Sequence, residues 1–335
     1  MQKEILDKIL LLDNNGELIA PGYAKKYNYV YNRNKAHKFP LRLKEWNFYQ
    51  FQKGSLVLQL TLGHVSYMCS VSATLFDIET NERFSVGKML PFFNPNLDLN
   101  PEENSYNEFN TKNFHMSFEV KDNERILYLK AKTLKYRNVE IKLNIENDLN
   151  NEKMVIATPF KEKKDQFYLN YKENYYKASG YARFDDYVVD FKESTGLLDW
   201  GRGIWPYKHE WFWGSVTTIH EGVPLGFNIG WGFGDLSNAT ENMYFYDKKA
   251  YKVGELEVIR DEYDYLSAWK LKDKDGKFEL FFLPVFDNYT QNKLLVVDTH
   301  CNQVFGHFSG YMKTEDGIIR FENILGFIEH AVNRW

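Results

Sequence analysis

From about residue 44 onward, apolar and polar side chains change places every second position. Tyr67, Cys69, Val71, Ala73 and Leu75 alternate with Ser and Thr, and Phe114, Met116, Phe118 and Val120 alternate with His115, Ser117 and Glu119. Val139, Ile141, Leu143 and Ile145 alternate with Glu140, Lys142, Asn144 and Glu146. A period of two predicts strands with one buried face. The turn Lys121–Glu124 predicts a hairpin into Ile126–Ala131. Further on, Leu225, Phe227, Ile229 and Trp231 repeat the alternation, and Asp275-Gly276 and Asp316-Gly317 are hairpin turn signals. A sustained 3.6 period is nearly absent. Residues 2–12, with Ile5, Leu6, Ile9 and Leu10 on one side, predict a short amphipathic helix ended by Asn14-Asn15-Gly16. Residues 23–40 show no clear period. Residues 93–113, rich in Asn and containing Pro95 and Pro101, predict a loop long enough to act as a lid. The segment 323–335 fits a strand or a short helix equally well. The expected class is all-β with few short helices, as antiparallel sandwich or barrel units. Strand groups at roughly 40–192 and 193–335 predict two β-domains in tandem, 1–192 and 193–335.

Composition narrows the function. The 335 residues are 44% hydrophobic, enough for real cores. Aromatics make up 17%, a fraction that suits both strands and small-molecule pockets. The net charge of −4 comes without a basic stripe, which argues against nucleic-acid binding; Lys161, Lys163 and Lys164 read as solvated loop. No window approaches the ~20 apolar residues of a membrane helix, and the first residues lack a signal-peptide pattern, so the expected location is cytoplasmic. Cys69 and Cys301 match no metal or redox spacing and read as reduced core thiols. His220, His300 and His307 are scattered, and no metal-ligand spacing or Gly-x-Ser-x-Gly elbow occurs. Neither a metal nor a cofactor is expected.

Leu197–Ser215 is the densest chemical stretch. It holds Trp200, Trp205, Trp211 and Trp213, four of the eight tryptophans, together with Asp199, Arg202, His209 and Glu210. Such a segment is a pocket wall or a structural corner. Ionisable groups buried among tryptophans acquire shifted pKa values, as acid–base chemistry on an apolar molecule requires. The structural alternative pairs Asp199 with Arg202 across a buried turn and turns His209 and Glu210 to solvent. A second constellation is Gly230-Trp231-Gly232-Phe233-Gly234-Asp235 with Thr240-Glu241-Asn242. Its glycines do not make a nucleotide loop, because no helix and no Gly-Lys-Ser/Thr follow. They fit a kink or close backbone approach, leaving Asp235 and Glu241 either at a barrel mouth or capping loop amides. Third, Glu329 and His330 are adjacent, so in a strand only one faces inward.

The blocks Lys44–Tyr49, Asp199–Pro206, Trp211–Gly214, Asp235–Asn242 and Gly326–His330 resemble the bacterial family known as domain of unknown function 2804. A more distant resemblance is to tandem lipocalin-like proteins, including carotenoid hydratases, tocopherol cyclases and Diels–Alder-type cyclases. It rests on Glu45-Trp46 and on Trp200-Gly201, Pro206 and Trp211-Phe212-Trp213. Asn47-Phe48 replaces the second aromatic pair usual after Glu-Trp, so the pocket is expected to differ there. The resemblance implies two calycin-like barrels with a shared pocket for an apolar substrate, and together with Phe327 it selects Glu329 as the inward residue. The expected acids or bases are Asp199, His209, Asp235, Glu241 and Glu329. The expected ligand contacts are Glu45, Trp46, Trp200, Arg202, Trp205, Trp211, Trp213 and Trp231. Three functions follow: a cofactor-independent hydratase, isomerase or cyclase for a lipid- or terpenoid-like molecule, with tryptophan faces steadying a carbocation; a carrier without proton transfer; or a carbohydrate-active protein with paired carboxylates.

Overall fold

The computed structural model describes residues 2–36, 39–91, 97–161, 163–294 and 297–335. The protein is all-β, and among the described residues the only helical elements are the 3-10 turns Arg33–Lys35 and Pro40–Arg42. The strands form two large antiparallel sheets, each curled as a half-barrel, which is the tandem lipocalin-like plan.

At the centre of the first sheet, Leu43–Lys53 pairs with Leu56–His64 on one side and with Ser194–Ile204 on the other. Ser194–Ile204 pairs in turn with the 22-residue strand Lys163–Phe184. The chain leaves this sheet at Ile204 and enters the second at Lys208. The division expected at 192/193 placed Ser194–Ile204 in the second unit, whereas its hydrogen bonds place it in the first sheet. In the second sheet, Lys208–His220 pairs with Val223–Trp231 and with Gly317–Arg334. Gly317–Arg334 then pairs with Val297–Thr314. The segment 323–335 is therefore strand up to Arg334.

Two expectations change. Residues 2–12 are extended: Ile9–Leu10 pairs in parallel with Tyr29–Val30, and Glu4 bridges to Tyr23. Ile5, Leu11 and Leu12 are buried while Leu6 is exposed; tertiary pairing wins over a weak helical period. The expected lid is mostly sheet, with Ser105–Thr111 paired to Phe114–Lys121 and Leu97–Asp98 at the edge; residues 92–96 lie outside the described residues.

Strand alternation sorts side chains into three packed regions. Tyr49, Phe51, Leu169, Tyr171, Leu198 and Trp200 fill the interior of the first half-barrel. Val216, Phe227, Ile229, Phe282, Phe308 and Ile328 fill the second. The outer faces of the two sheets then meet. On one flank of this seam Val57, Phe76 and Leu197 pack against Trp213, Phe305 and Phe327. On the other, Met154, Tyr168 and Trp205 pack against Phe233, Met243 and Phe245. Burying one such side chain is worth roughly 1.5–3 kcal/mol, so the seam is a third core.

Candidate functional site

Between these two flanks lies a cavity of about 300 Å³. Trp46, Phe48, Asn170, Lys172 and Asp199 reach it from the first sheet. Trp211, Trp213, Cys301, Gln303 and Glu329 reach it from the second, and Trp205, Phe233 and Glu241 from the connections. The geometry follows from the period of two. Tyr171 and Glu173 point into the first half-barrel, so Asn170 and Lys172 point out to the seam; Leu198 and Trp200 point in, so Asp199 points out. Glu329 faces the cavity, and His330 takes the other face, stacked on Phe212 at 4.0 Å between ring centroids.

Three carboxyls and one cation share this space. Lys172 Nζ stands 3.4 Å from Asp199 Oδ1 and 3.5 Å from Glu241 Oε2, and lies 4.0 Å from the centroid of the Trp213 ring. Trp46 Nε1 donates to Asp199 Oδ2 at 3.1 Å, and Asn170 Nδ2 donates to Glu241 Oε1 at 2.7 Å. Trp211 Nε1 donates to Glu329 Oε1 at 2.9 Å, and the Cys301 thiol also hydrogen-bonds Glu329. Among the described residues, Lys172 is the only donor near Asp199 Oδ1 and Glu241 Oε2. Unequal surroundings separate the acids. Burial, reinforced by the charge of Asp199, raises Glu241, with Lys172 opposing. Glu329 is pushed up to about 6, by burial first and then by Asp199, against the pull of the Trp211 N–H and Lys172.

Two glycines make room for this arrangement. Gly201 sits opposite Trp46 in register, and a Cβ there would meet the Trp46 ring at 2.1 Å. A Cβ on Gly230 would meet Glu241 Cβ at 2.9 Å and Oε2 at 3.0 Å. The glycine-rich strand end is thus the close backbone approach that admits Glu241.

The remaining sequence-derived residues lie elsewhere. Arg202 does not pair with Asp199, which is three positions away on the opposite face of the strand. It is fully buried and donates to the Trp46 carbonyl at 2.7 Å and to Asn47 Oδ1 at 2.9 Å, with Glu45 3.7 Å away. Glu45 accepts from Tyr31 at 2.8 Å, sits 2.7 Å from His64 Nε2 and pairs with Arg33 at 2.6 Å. The His64 hydrogen bond and these cations hold its carboxyl down at about 2, against burial. Trp200 lies under the Arg202 guanidinium at 4.0 Å, in the first half-barrel. Trp231 stacks on Phe212 at 4.9 Å in the second. His209 stands behind the cavity wall, stacked on Trp211, with Nδ1 3.0 Å from the Pro206 carbonyl; burial lowers it to about 4. Asp235 caps Ser237 within its own loop.

Lys172, Asn170 and Cys301 are among the cavity residues that sequence reasoning missed, as are Phe48, Phe233 and Gln303. Alternation from Tyr171 would have pointed Lys172 to the same face as Asn170. A bulge between Glu173 and Tyr176, with Tyr175 at φ 64°, reverses the period soon after and hides the signal. A second bulge between Pro284 and Phe286 does the same for Asn288 and Thr290, which also line the cavity.

The model of the family described as domain of unknown function (DUF2804) matches residues 2–335. This chain belongs to the DUF2804 family. No curated protein matches this DUF2804 member in sequence. Among solved structures it is similar to kievitone hydratase from Nectria haematococca, with a TM-score of 0.51 and 13% identity over 98% of each chain. It also resembles a protein from Nitrosomonas europaea provisionally named AttH, with a TM-score of 0.47 and 10% identity, over 90% of this chain and 95% of that one. At these identities the likeness is one of fold. No helix among the described residues of the DUF2804 chain is long and apolar enough to cross a membrane.

Proposed function

We propose that this protein is a cofactor-independent hydratase- or isomerase-type enzyme that moves a proton on an apolar small molecule held in the seam cavity. The observation that carries the reading is the unequal set of carboxyls inside one aromatic-walled space. Glu329, with its pKa raised to about 6, retains a protonated fraction near neutrality and is the acid. Asp199, beside the Lys172 ammonium and the Trp46 N–H, makes contacts suited to a carboxylate and is the base. In the hydration form of the reaction, Glu329 gives its proton to one carbon of a double bond. A water oxygen bonds to the other carbon, and Asp199 takes the proton that this oxygen releases. Proton exchange with solvent then resets the pair. Trp205, Trp211 and Trp213 line the same space and give it aromatic walls that suit developing positive charge, and Lys172 offsets the negative charge of the acid cluster.

The ionisable groups inside the cavity favour an enzyme over a carrier, because a carrier for apolar molecules gains nothing by desolvating them. A sugar platform is disfavoured by the tryptophans: Trp46 and Trp211 are inclined 55° and 62° to Trp205 and form no flat open surface. Similarity of fold to a hydratase is consistent with the reaction class.

Protein purified from its own host and analysed by native mass spectrometry should carry an apolar ligand. Incubated with that ligand in D2O, the protein should introduce carbon-bound deuterium or add one water, while E329Q and D199N should do neither. Bound ligand that is never altered would make the protein a carrier; binding restricted to sugars would remove both readings.

A further inference from the structure

The seam does not end at the carboxylate cavity. A second cavity of about 270 Å³ continues along it, sharing Trp46, Thr61 and Trp335 as walls. Its character is different. Val65, Tyr67, Met68 and Met89 form one side and Val297 belongs to the other sheet. The polar residues on its wall, Ser70, Asn292 and Thr299, are uncharged. Glu45 and His64 also line it, bonded to each other at 2.7 Å, with Glu45 further engaged by Tyr31, Arg33 and Arg202. Among the described residues, one cavity therefore has three carboxyls and a lysine on its wall, and its neighbour has no carboxyl or lysine outside that pair.

Size points the same way. Ligand sites for drug-sized molecules run from roughly 300 to 1,000 Å³, so the first cavity alone is at the lower limit. The partition between the two is made of side chains rather than backbone. Trp335 is half-buried, its ring 5.4 Å from Lys44 Nζ and 6.3 Å from the ring of Trp211. Among the described residues its indole N–H, though buried, has no hydrogen-bond acceptor. Nothing in the hydrogen bonding of that indole fixes the ring as a permanent wall.

We propose that the second cavity is a tail site, and that the substrate is an elongated amphiphile. Its polar or unsaturated end sits among Asp199, Glu241 and Glu329, and its apolar chain, of the acyl or prenyl class, passes Trp46 and Trp335 into the neighbouring space. This assignment rests on the catalytic reading for what happens at the head, but the tail site is tested by binding alone.

The test uses the whole protein and dodecan-1-ol carrying a terminal diazirine, photolysed in the complex, with labelled positions read by peptide mass spectrometry. Label is expected between Val65 and Ser70 and between Val297 and Thr299, falling at least fivefold in S70F, which places a ring in the second cavity. In parallel, 1-alkanols from butanol to dodecanol, followed by tryptophan fluorescence, should bind roughly fourfold tighter per methylene until the space is filled. That series should stop several carbons earlier in S70F. Label confined to peptides around Lys172 and Asp199, or a series ending at the same length in both proteins, overturns the assignment. Thr299→Phe fills the same space from the opposite sheet and serves if S70F does not fold. E329Q should lose proton exchange and keep the label pattern; wild-type protein that is labelled at these positions but exchanges no proton would remove the catalytic reading and keep the tail site.

Discussion

Replacing Glu329 by Gln should stabilise the protein at alkaline pH while abolishing the proton transfer proposed for it. In the folded chain the Glu329 carboxyl titrates at about 6 instead of its ordinary 4.5, because the cavity removes water from it and Asp199 adds a like charge. A carboxyl raised on folding helps stability fully below its unfolded pKa, and that help is lost as pH climbs through the folded value. The window is therefore about 4.5 to 6. The loss across it, about 1.5 pKa units at 1.36 kcal/mol each, is about 2 kcal/mol. Gln keeps the acceptor for the Trp211 N–H but cannot ionise, so the variant escapes this loss. With about 2.1 cal/mol/K of unfolding entropy per residue over 335 residues, 2 kcal/mol corresponds to roughly 3 °C in Tm. Thermal melts of both proteins from pH 4 to pH 8.5 provide the assay. The curves should nearly coincide at pH 4 and separate above pH 6, with E329Q the more stable. A variant less stable than wild type at pH 8, or a difference that does not change with pH, would show that Glu329 is not a desolvated acid, and the proton-transfer assignment would lose its basis.

G201A should drive the Trp46 ring off the cavity wall, since its methyl would meet that ring at 2.1 Å. A cost of about 1–3 kcal/mol in urea denaturation, with a shifted tryptophan emission and weaker alkanol binding, is the expected result. E45Q should cost about 3–5 kcal/mol by leaving Arg202 and Arg33 without their buried carboxylate, while molecules that remain folded still exchange protons. Glu45 is depressed on folding, so its contribution of about 3 kcal/mol is complete above pH 4.5 and disappears as pH falls toward 2; acid unfolding of E45Q should be correspondingly less steep.

The strands were legible because alternation reports burial directly. Phe114–Lys121, Glu124–Ala131 and Val139–Glu146 follow from the pattern alone. The pattern does not say which buried region a face belongs to. Trp200 and Asp199 both look like pocket residues in the sequence, yet adjacent positions in one strand send Trp200 into the first half-barrel and Asp199 into the seam. The N-terminal segment misleads for a related reason: Ile5 and Leu11 are fixed by pairing with residues 23–30, a partner that a local period cannot reveal. Lys172 was illegible because its significance depends on Asp199, set opposite it only by the pairing of Lys163–Phe184 with Ser194–Ile204, and on Glu241, which comes from a connection in the second half of the chain.

The bore of a closed barrel is set by strand number and shear, so a lipocalin that holds its ligand in the lumen changes capacity in coarse steps. Here apolar side chains pack the interiors of both half-barrels, and the carboxylate cavity and its neighbour lie in the joint between two outer surfaces. Its width answers to individual side chains such as Phe48, Trp213 and Gln303 rather than to closure geometry. Capacity is thereby decoupled from architecture: trimming or enlarging one of these residues resizes the chamber while each half-barrel keeps its own hydrogen-bonded frame.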